Sequence, residues 1–145
     1  VHGLELDARF SFDRMSRVEF AYTWAHSEVT GAGSMRALLG KRLPQDPEHR
    51  ATLGILFDRP RWFSGLVQVR VIGPQWEDDI NTLTMHGYAL LDAALSRQLS
   101  GGLQVFAAAE NILGARYLVG RAGVDTLGAP LTFRVGLRIR SPYRP

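Results

Sequence analysis

The segment Leu131-Thr132-Phe133-Arg134-Val135-Gly136-Leu137-Arg138-Ile139-Arg140 decides the fold, because an apolar residue occupies every second position. Threonine, glycine and arginine stand between the apolar residues, so one face of the segment is apolar and the other is polar. Alternation with a period of two residues is typical of a β-strand rather than a helix. The pattern therefore predicts a strand that separates an apolar environment from an aqueous one.

Six segments upstream show the same alternation. Their apolar faces run over Leu4 to Phe10, Val18 to Trp24, Ala51 to Phe57, Val67 to Val71, Ala89 to Leu95 and Leu103 to Ala109. We predict an all-β fold, an antiparallel meander of about seven strands. A soluble β-sandwich hides the apolar face inside, whereas a membrane β-barrel turns it outward, and alternation alone does not distinguish the two.

The connections between these segments favour the barrel. They alternate between short and long in the order Ser11 to Ser16, Thr30 to Asp46, Asp58 to Phe63, Pro74 to His86, Gln98 to Gly102 and Gly114 to Pro130. Transmembrane barrels have short periplasmic turns and longer extracellular loops, because every strand crosses the membrane once. We therefore predict part of a transmembrane β-barrel.

Aromatic residues gather at or beside the short turns, namely Phe10, Phe12, Phe20, Phe57, Trp62 and Phe63. Transmembrane barrels carry an aromatic girdle at the membrane interface, which agrees with this placement. Arg97 is the exception on the apolar face. It lies at the turn end of its strand, where a long side chain can extend to the lipid headgroups.

Composition excludes several other classes. The 145 residues include no cysteine, so disulfides and thiolate metal sites are absent, and 46% of them are hydrophobic, which argues against disorder. The net charge is +3, but the arginines are scattered rather than clustered, which disfavours nucleic-acid binding. No nucleophile and base occur in a catalytic pattern, so we expect neither an enzyme nor a cofactor.

Several motifs, in order along the chain, resemble the barrel end of TonB-dependent outer-membrane receptors. They are Leu43-Pro44 with His49-Arg50-Ala51, Ile72-Gly73 with Asn81-Thr82, Gly87-Tyr88-Ala89-Leu90-Leu91-Asp92, Glu110-Asn111-Ile112-Leu113 with Ala115-Arg116-Tyr117, and Gly128-Ala129-Pro130-Leu131-Thr132 with Gly136-Leu137-Arg138. The chain departs from the family pattern at Leu131, at Leu113-Gly114 and at Ser141, where the family usually has arginine, Phe-Asp and a terminal aromatic residue. Tyr143 could substitute for that aromatic.

The resemblance implies a receptor of about 22 strands whose lumen is filled by an N-terminal plug domain. Residues 1–145 would be the C-terminal part of this barrel, without the plug domain, the TonB box and the earlier strands. The first residues, Val1-His2-Gly3-Leu4, show no initiator methionine or signal peptide and run directly into an alternating strand, so we expect a fragment.

The expected function is uptake of a scarce nutrient across the outer membrane of a Gram-negative-type bacterium, powered through TonB. The expected partners are the TonB complex, reached through the absent N-terminal region, outer-membrane lipid, the barrel-assembly machinery and a small-molecule ligand such as an iron chelate or cobalamin. Two alternatives stay open. One is a small autonomous barrel with a structural or adhesive role, and the other is a soluble β-sandwich binding protein.

Cations and aromatic residues in the long connections suit an anionic, partly aromatic ligand. The candidates for substrate binding are Arg36, Trp76, Arg116, Tyr117 and Arg121. The residues expected to have a structural role, through the family motif, are Glu110, Asn111, Tyr117, Gly128, Pro130 and Gly136.

Two further clusters are weaker candidates. His26 and His49 could meet near the outer rim beside Ser27 and Asp46, and the acidic run 77–79 with His86 could bind calcium, although a solvated acidic loop is the simpler interpretation. The polar faces would line the lumen with charges that pair across strands or contact the plug. These charges are Glu5, Asp7, Arg9, Glu19, Arg50, Arg70, Asp92, Glu110, Arg134, Arg138 and Arg140.

Overall fold

The computed structural model of the chain describes residues 1–59, 61–99 and 102–140. Within them lie seven long strands, four short strands and one turn of 3-10 helix at Arg36–Leu38. The long strands are β1 (His2–Ser11), β2 (Ser16–His26), β3 (His49–Arg59), β4 (Phe63–Ile72), β7 (Tyr88–Gln98), β8 (Leu103–Glu110) and β11 (Thr132–Ile139). The short strands, all within connections, are β5 (Gln75–Trp76), β6 (Thr84–Met85), β9 (Leu118–Gly120) and β10 (Thr126–Leu127).

The seven long strands form one antiparallel sheet in the order β1-β2-β3-β4-β7-β8-β11, without a crossover. The predicted antiparallel meander is therefore confirmed. Two separate hairpins, β5 with β6 and β9 with β10, lie in the second and third long connections. In the described part of the chain, β1 and β11 are the two edges of the large sheet. They run in the same direction because the number of strands between one edge and the other is odd.

The register gives the sheet two different faces. Val67 lies opposite Ile55, and Val69 lies opposite Leu53, on one face. Residues of the opposite parity, such as Arg70, which lies opposite Thr52, form the other face. A shift of one residue would exchange the two faces, so the apolar pattern fixes the pairing.

None of the described residues forms a layer over the apolar face. Along β11, Phe133 is 71% exposed, Val135 84% and Ile139 76%. Among the described residues, Met85 and Leu90 are the only hydrophobic side chains that are buried. A β-sandwich would cover this face with a second sheet, so the sandwich alternative is wrong. The exposed apolar surface is that of a barrel wall that faces lipid.

The connections follow the predicted rhythm. The short connections after β1, β3 and β7 span residues 12–15, 60–62 and 99–102, whereas the loops after β2, β4 and β8 span 27–48, 73–87 and 111–131. All the short turns therefore lie at one end of the sheet and all the long loops at the other. We call these ends the turn end and the loop end. Ser141 and Tyr143, on which the prediction about the terminal aromatic residue depends, lie outside the described residues.

Across residues 1–59, 61–99 and 102–140, no helix combines the length and the apolar character that crossing a bilayer requires.

Candidate functional site

The long loops are the candidate site, and the second of them (73–87) is built around one carboxylate. Asp78 accepts hydrogen bonds from the backbone N–H groups of Thr82, at 2.8 Å, and Leu83, at 2.6 Å, and from the Thr82 hydroxyl at 2.7 Å. Desolvation raises the pKa of Asp78, but the hydrogen bonds from these donors together lower it by more. The pKa of Asp78 therefore lies below its ordinary value. The carboxylate thus closes the tip of the β5–β6 hairpin.

The first loop (27–48) is fastened to the second by Asn81. The Asn81 side chain accepts the N–H of Arg42 at 2.7 Å and donates to the Arg42 carbonyl at 2.9 Å. Asn81 has a φ of 57°, a left-handed conformation that asparagine tolerates better than most residues. A second contact runs from the N–H of Gln45 to the Trp76 carbonyl at 2.6 Å. The two loops therefore hold each other in place.

A charged cluster closes the base of the first loop. His26 Nδ1 lies 3.2 Å from Glu48 Oε1, and Arg42 Nη1 lies 3.2 Å from Glu48 Oε2. Hydrogen bonds from His26 and then Arg42 lower the pKa of Glu48 to about 2. The two ends of the loop also pair through the N–H of Ala25, which donates to the Glu48 carbonyl at 3.0 Å.

The third loop (111–131) is organised by Asn111, which is 2% exposed and has a φ of 51°. Its side-chain nitrogen donates to the carbonyls of Ala115 at 2.9 Å and Ala129 at 3.0 Å, and its side-chain oxygen accepts the Ala115 N–H at 2.8 Å. Its backbone N–H donates to Asp92 on β7 at 2.9 Å. These contacts agree with the structural role expected for Asn111.

Other residues of the predicted structural motif take part in close packing. A Cβ added to Gly128 would lie 2.1 Å from the Tyr117 ring, so only glycine allows the ring this position. Tyr117 also stacks on Tyr88, with 4.2 Å between ring centroids. Gly136 is similarly covered by the Phe106 ring, which a Cβ would approach to 2.5 Å. Glu110 forms an ion pair with Arg134 across β8 and β11, and the Pro130 carbonyl accepts the Thr132 hydroxyl at 3.0 Å.

The predicted substrate-binding residues lie in three kinds of environment: one is bound to other protein groups, two are half-buried and two are exposed. Arg121 is committed to protein contacts, because it pairs with Asp125 at 3.0 Å and donates to the Thr84 carbonyl at 2.9 Å. Tyr117 is half-buried in the stack described above, and Trp76 is half-buried in β5. Arg36 and Arg116 are exposed and form no ion pair with any described residue.

Arg116 lines a small cavity between the second and third loops. The cavity has a volume of about 120 Å³ and is also lined by His86, Gly87, Tyr117, Leu118 and Leu127. A guanidinium and an imidazole beside a phenol and two leucines suit a small anionic or aromatic group. His86 was considered only for calcium, and its place in the lining of the same cavity as Arg116 could not be predicted, because that cavity depends on how the two loops fold together.

The weaker candidates are not assembled. His49 Nδ1 lies 2.8 Å from the Tyr22 hydroxyl, while His26 pairs with Glu48, so the two histidines have separate partners. Ser27 is fully buried. Within the described part of the chain, no three histidine, aspartate or glutamate side chains converge in a way that could hold a metal ion. The acidic run 77–79 therefore does not form a calcium site with His86.

The inward polar face carries cross-strand ion pairs. Arg70 and Asp92 lie 2.8 Å apart between β4 and β7. Arg9 and Glu19 lie 3.0 Å apart between β1 and β2. Pairing across strands is one of the two roles predicted for these charges.

The chain is similar in sequence to one protein family. A family model described as "TonB dependent receptor-like, beta-barrel" matches residues 1–112. None of the curated proteins compared with the chain matches it.

Several solved structures are similar in fold. The ferric yersiniabactin uptake receptor from Yersinia pestis is 22% identical, with a TM-score of 0.74 over 92% of this chain and 21% of that one. The ferric preacinetobactin receptor from Acinetobacter baumannii is 20% identical, with a TM-score of 0.76 over 93% and 21%. The ferric-catecholate import receptor from E. coli K12 is 22% identical, with a TM-score of 0.76 over 93% and 20%. The chain thus spans about a fifth of the length of these structures.

Proposed function

We propose a role for this chain from its family: it belongs to the TonB-dependent receptor β-barrel family, since the family model covers more than half of its length. Members of this family are outer-membrane receptors and not enzymes, which agrees with the expected location and with the expected lack of catalysis. The loop end of the sheet therefore faces the outside of the cell, and the turn end faces the periplasm.

Residues 1–145 are, in this proposal, the C-terminal strands of a longer barrel that also contains a plug domain and a TonB box. The unpaired edges of β1 and β11 support it. Because the two edges run in the same direction, they cannot close on each other as an antiparallel pair. Single-chain bacterial barrels have an even number of strands, which also disfavours the small autonomous barrel.

The whole receptor would take up a scarce nutrient, with energy supplied through TonB. An iron chelate is the favoured substrate class, and cobalamin is the second. The exposed guanidinium groups of Arg36 and Arg116 support an anionic ligand. The observation that carries the proposal is that hydrogen bonds join the three long loops. Arg42 of the first loop bonds to Asn81 of the second, and Arg121 of the third bonds to Thr84 of the second. The joined loops give a ligand a surface at the mouth of the barrel.

Uptake by cells tests the proposal. The complete receptor is expressed in cells that lack their own iron-chelate receptors, with and without TonB, and uptake of a panel of radiolabelled ferric chelates and cobalamin is measured. We expect uptake of one ligand that requires TonB. Uptake of none of them, or uptake that is equal without TonB, would contradict the proposed function.

Variants of the loops and of the inward face should separate binding from transport. We expect R116A and W76A to weaken ligand binding to cells by about tenfold, since each removes a side chain from the loop surface. R121A should also weaken binding, through loss of its contacts with Asp125 and Thr84. The matched control R70A lies on the inward face and should leave affinity unchanged. Unchanged affinity after deletion of all three loops would remove them from ligand recognition.

The proposal that the chain is a fragment has its own test. Residues 1–145 are expressed behind a signal peptide in cells without the native receptor. The open edges leave backbone groups that lipid cannot satisfy, so we expect aggregation or association between copies. A monomeric barrel whose mobility on a gel changes on heating, or energy-dependent uptake of any ligand, would identify a complete small protein instead.

A further inference from the structure

The two ends of the sheet differ in charge. The loops 27–48, 73–87 and 111–131 contain seven acidic and five basic residues. The turns and the strand residues beside them carry seven arginines, against Asp13 and Asp58 as the acidic residues. These arginines are Arg14, Arg17, Arg59, Arg61, Arg97, Arg138 and Arg140. The turn end is therefore strongly positive, whereas the loop end is slightly negative.

Three arginines of the turn end, apart from Arg138 and Arg140 on the lumen-facing side, are available to a lipid partner. Arg14, Arg61 and Arg97 are exposed, and none of them forms an ion pair with a described residue. Arg59, by contrast, is held by Asp13 at 3.1 Å, which links the first turn to the second. A guanidinium without a carboxylate partner keeps its full capacity for a phosphate, which it matches with paired donors.

Aromatic side chains set the depth of these arginines in the membrane. Phe10 is 62% exposed, Phe12 66% and Trp62 70%, all of them at the turn end. Exposed rings of this kind lie at the level of the lipid headgroups. The arginines beside them are therefore at the depth of the headgroup phosphates.

The position of Arg97 places its charge on the lipid-facing side of the sheet rather than in the lumen. It pairs with Val105 in the register of β7 and β8, so it lies on the lipid-facing side of the sheet. Its guanidinium carbon lies 5.6 Å from the centre of the Phe63 ring. The Phe63 ring therefore holds the guanidinium on the lipid-facing side, at a depth where the charge can reach a headgroup but not the lumen.

We infer that the turn end binds the phosphate groups of anionic glycerophospholipids in the periplasmic leaflet, through Arg97 together with Arg14 and Arg61. The net positive charge of this end selects anionic lipids over zwitterionic ones, because an anionic surface attracts each basic residue near it. The inference rests on the proposed barrel setting, in which the turns face the periplasm. It gives a specific ligand to Arg97, the arginine that interrupts the apolar face of its strand.

Native mass spectrometry of the complete receptor, purified in a neutral detergent, tests this inference. Phosphatidylglycerol and phosphatidylethanolamine with the same acyl chains are added in turn, and the fraction of protein that retains lipid is measured. We expect a clear preference for phosphatidylglycerol, which falls by about fivefold for each of R14Q, R61Q and R97Q. R97K should retain most of the preference, since it keeps the charge.

The matched control is R36Q/R116Q, which removes positive charge from the exposed loop end and should leave the lipid preference unchanged. Three results would each overturn the inference. They are equal binding of both lipids, a preference for phosphatidylglycerol that the triple variant R14Q/R61Q/R97Q retains, and a loss of this preference in the control that is as large as in the triple variant. If the triple variant does not fold, R97Q and R97K decide the question, because a single exposed side chain is changed. No nutrient is present in this assay, so a receptor that fails in uptake but prefers phosphatidylglycerol would contradict only the proposed function.

Discussion

The outward and inward faces of the sheet are made by neighbouring residues of the same strands, yet different interactions determine them. Outward residues have almost no protein neighbours over them, and Val135, for example, is 84% exposed. Inward residues such as Arg70 and Asp92 hold each other at 2.8 Å. The outward face is therefore specified by the solvent it meets, which is lipid, and the inward face by its polar partners. The same kind of substitution should therefore be destabilising on the outward face and tolerated on the inward face.

A cation placed on each face in turn gives the largest expected effect. Val69 and Gln68 are adjacent on β4, at nearly the same depth, and lie on opposite faces. We expect V69R to lower the free energy of unfolding from the membrane by about 2–4 kcal/mol, because the guanidinium would lie in hydrocarbon. Q68R should have little effect, since Asp92 lies opposite it. Urea unfolding of the complete receptor in lipid vesicles measures both.

An equal loss of stability in the two variants would contradict the assignment of the faces. Spin labels provide an independent check in the same barrel. Labels at Val69, Leu91, Val105 and Val135 should be relaxed by a lipid-soluble reagent, and labels at Arg70, Asp92 and Arg134 should not. Relaxation of the second set would overturn the membrane interpretation.

The sequence predicted this contrast because each face depends on a simple period. Alternation of residues such as those of Leu131 to Arg140 identifies a strand and its two faces, and the spacing of turn residues separates short connections from long ones. Both signals are local, so one chain suffices to read them. The strand order followed, since consecutive strands joined by short turns pair with each other.

The loop end could be predicted only in part, because its contacts join residues that are distant in sequence. The bonds between Asn81 and Arg42 require a left-handed backbone at Asn81, which no periodic pattern reveals. Arg121 stays a prediction as a substrate-binding residue, and no pattern in the sequence predicted its contacts with Asp125 and Thr84. The family motif assigned Asn111 a structural role, and the structure places its side chain at the centre of the hydrogen bonds of the third loop.

The contrast between the faces can be sharpened at Asn111, where the inward face meets the loops. We expect N111A to destabilise the third loop by about 2–3 kcal/mol, because it removes side-chain bonds to Ala115 and Ala129 and leaves buried groups without partners. N111G keeps the left-handed backbone accessible but also loses these bonds. Hydrogen exchange of residues 111–131 measures the change. Full protection in N111A would show that the network does not hold the loop, and a loss in N111A alone would assign the effect to the backbone.

Acid should act on the loop end before it acts on the outward face. The pKa of Glu48 is about 2, below its ordinary value of 4.5, so its stabilising contribution is complete above about pH 4.5. It is lost as the pH falls through the folded-state pKa, because the protonated carboxyl no longer attracts Arg42. We expect the protection factors against hydrogen exchange at Val29 and Gly40, which form backbone hydrogen bonds within the first loop, to fall between pH 4.5 and 2.

The variant E48Q is the control for this pH dependence. It should show faster exchange at the base of the first loop already at neutral pH and little further change on acidification. An identical pH profile in E48Q and the unchanged protein would mean that another group causes the transition. Val69, Leu91 and Val135 on the outward face have no titratable side chain, so their exchange serves as an internal reference.

The smallest effect is expected from the ion pair between Arg70 and Asp92, although it is the clearest polar contact of the inward face. The two side chains are 45% and 18% exposed, so water screens their attraction. Pairs with this degree of exposure contribute about 0–1 kcal/mol. A double-mutant cycle with R70Q and D92N should therefore give a coupling energy within that range. The single variant D92N should cost more than R70Q, because Asp92 also accepts the N–H of Asn111. A coupling energy above about 2 kcal/mol would mean that the inward face is dry and that its charges act as a buried pair, in which case it could not line a water-filled lumen.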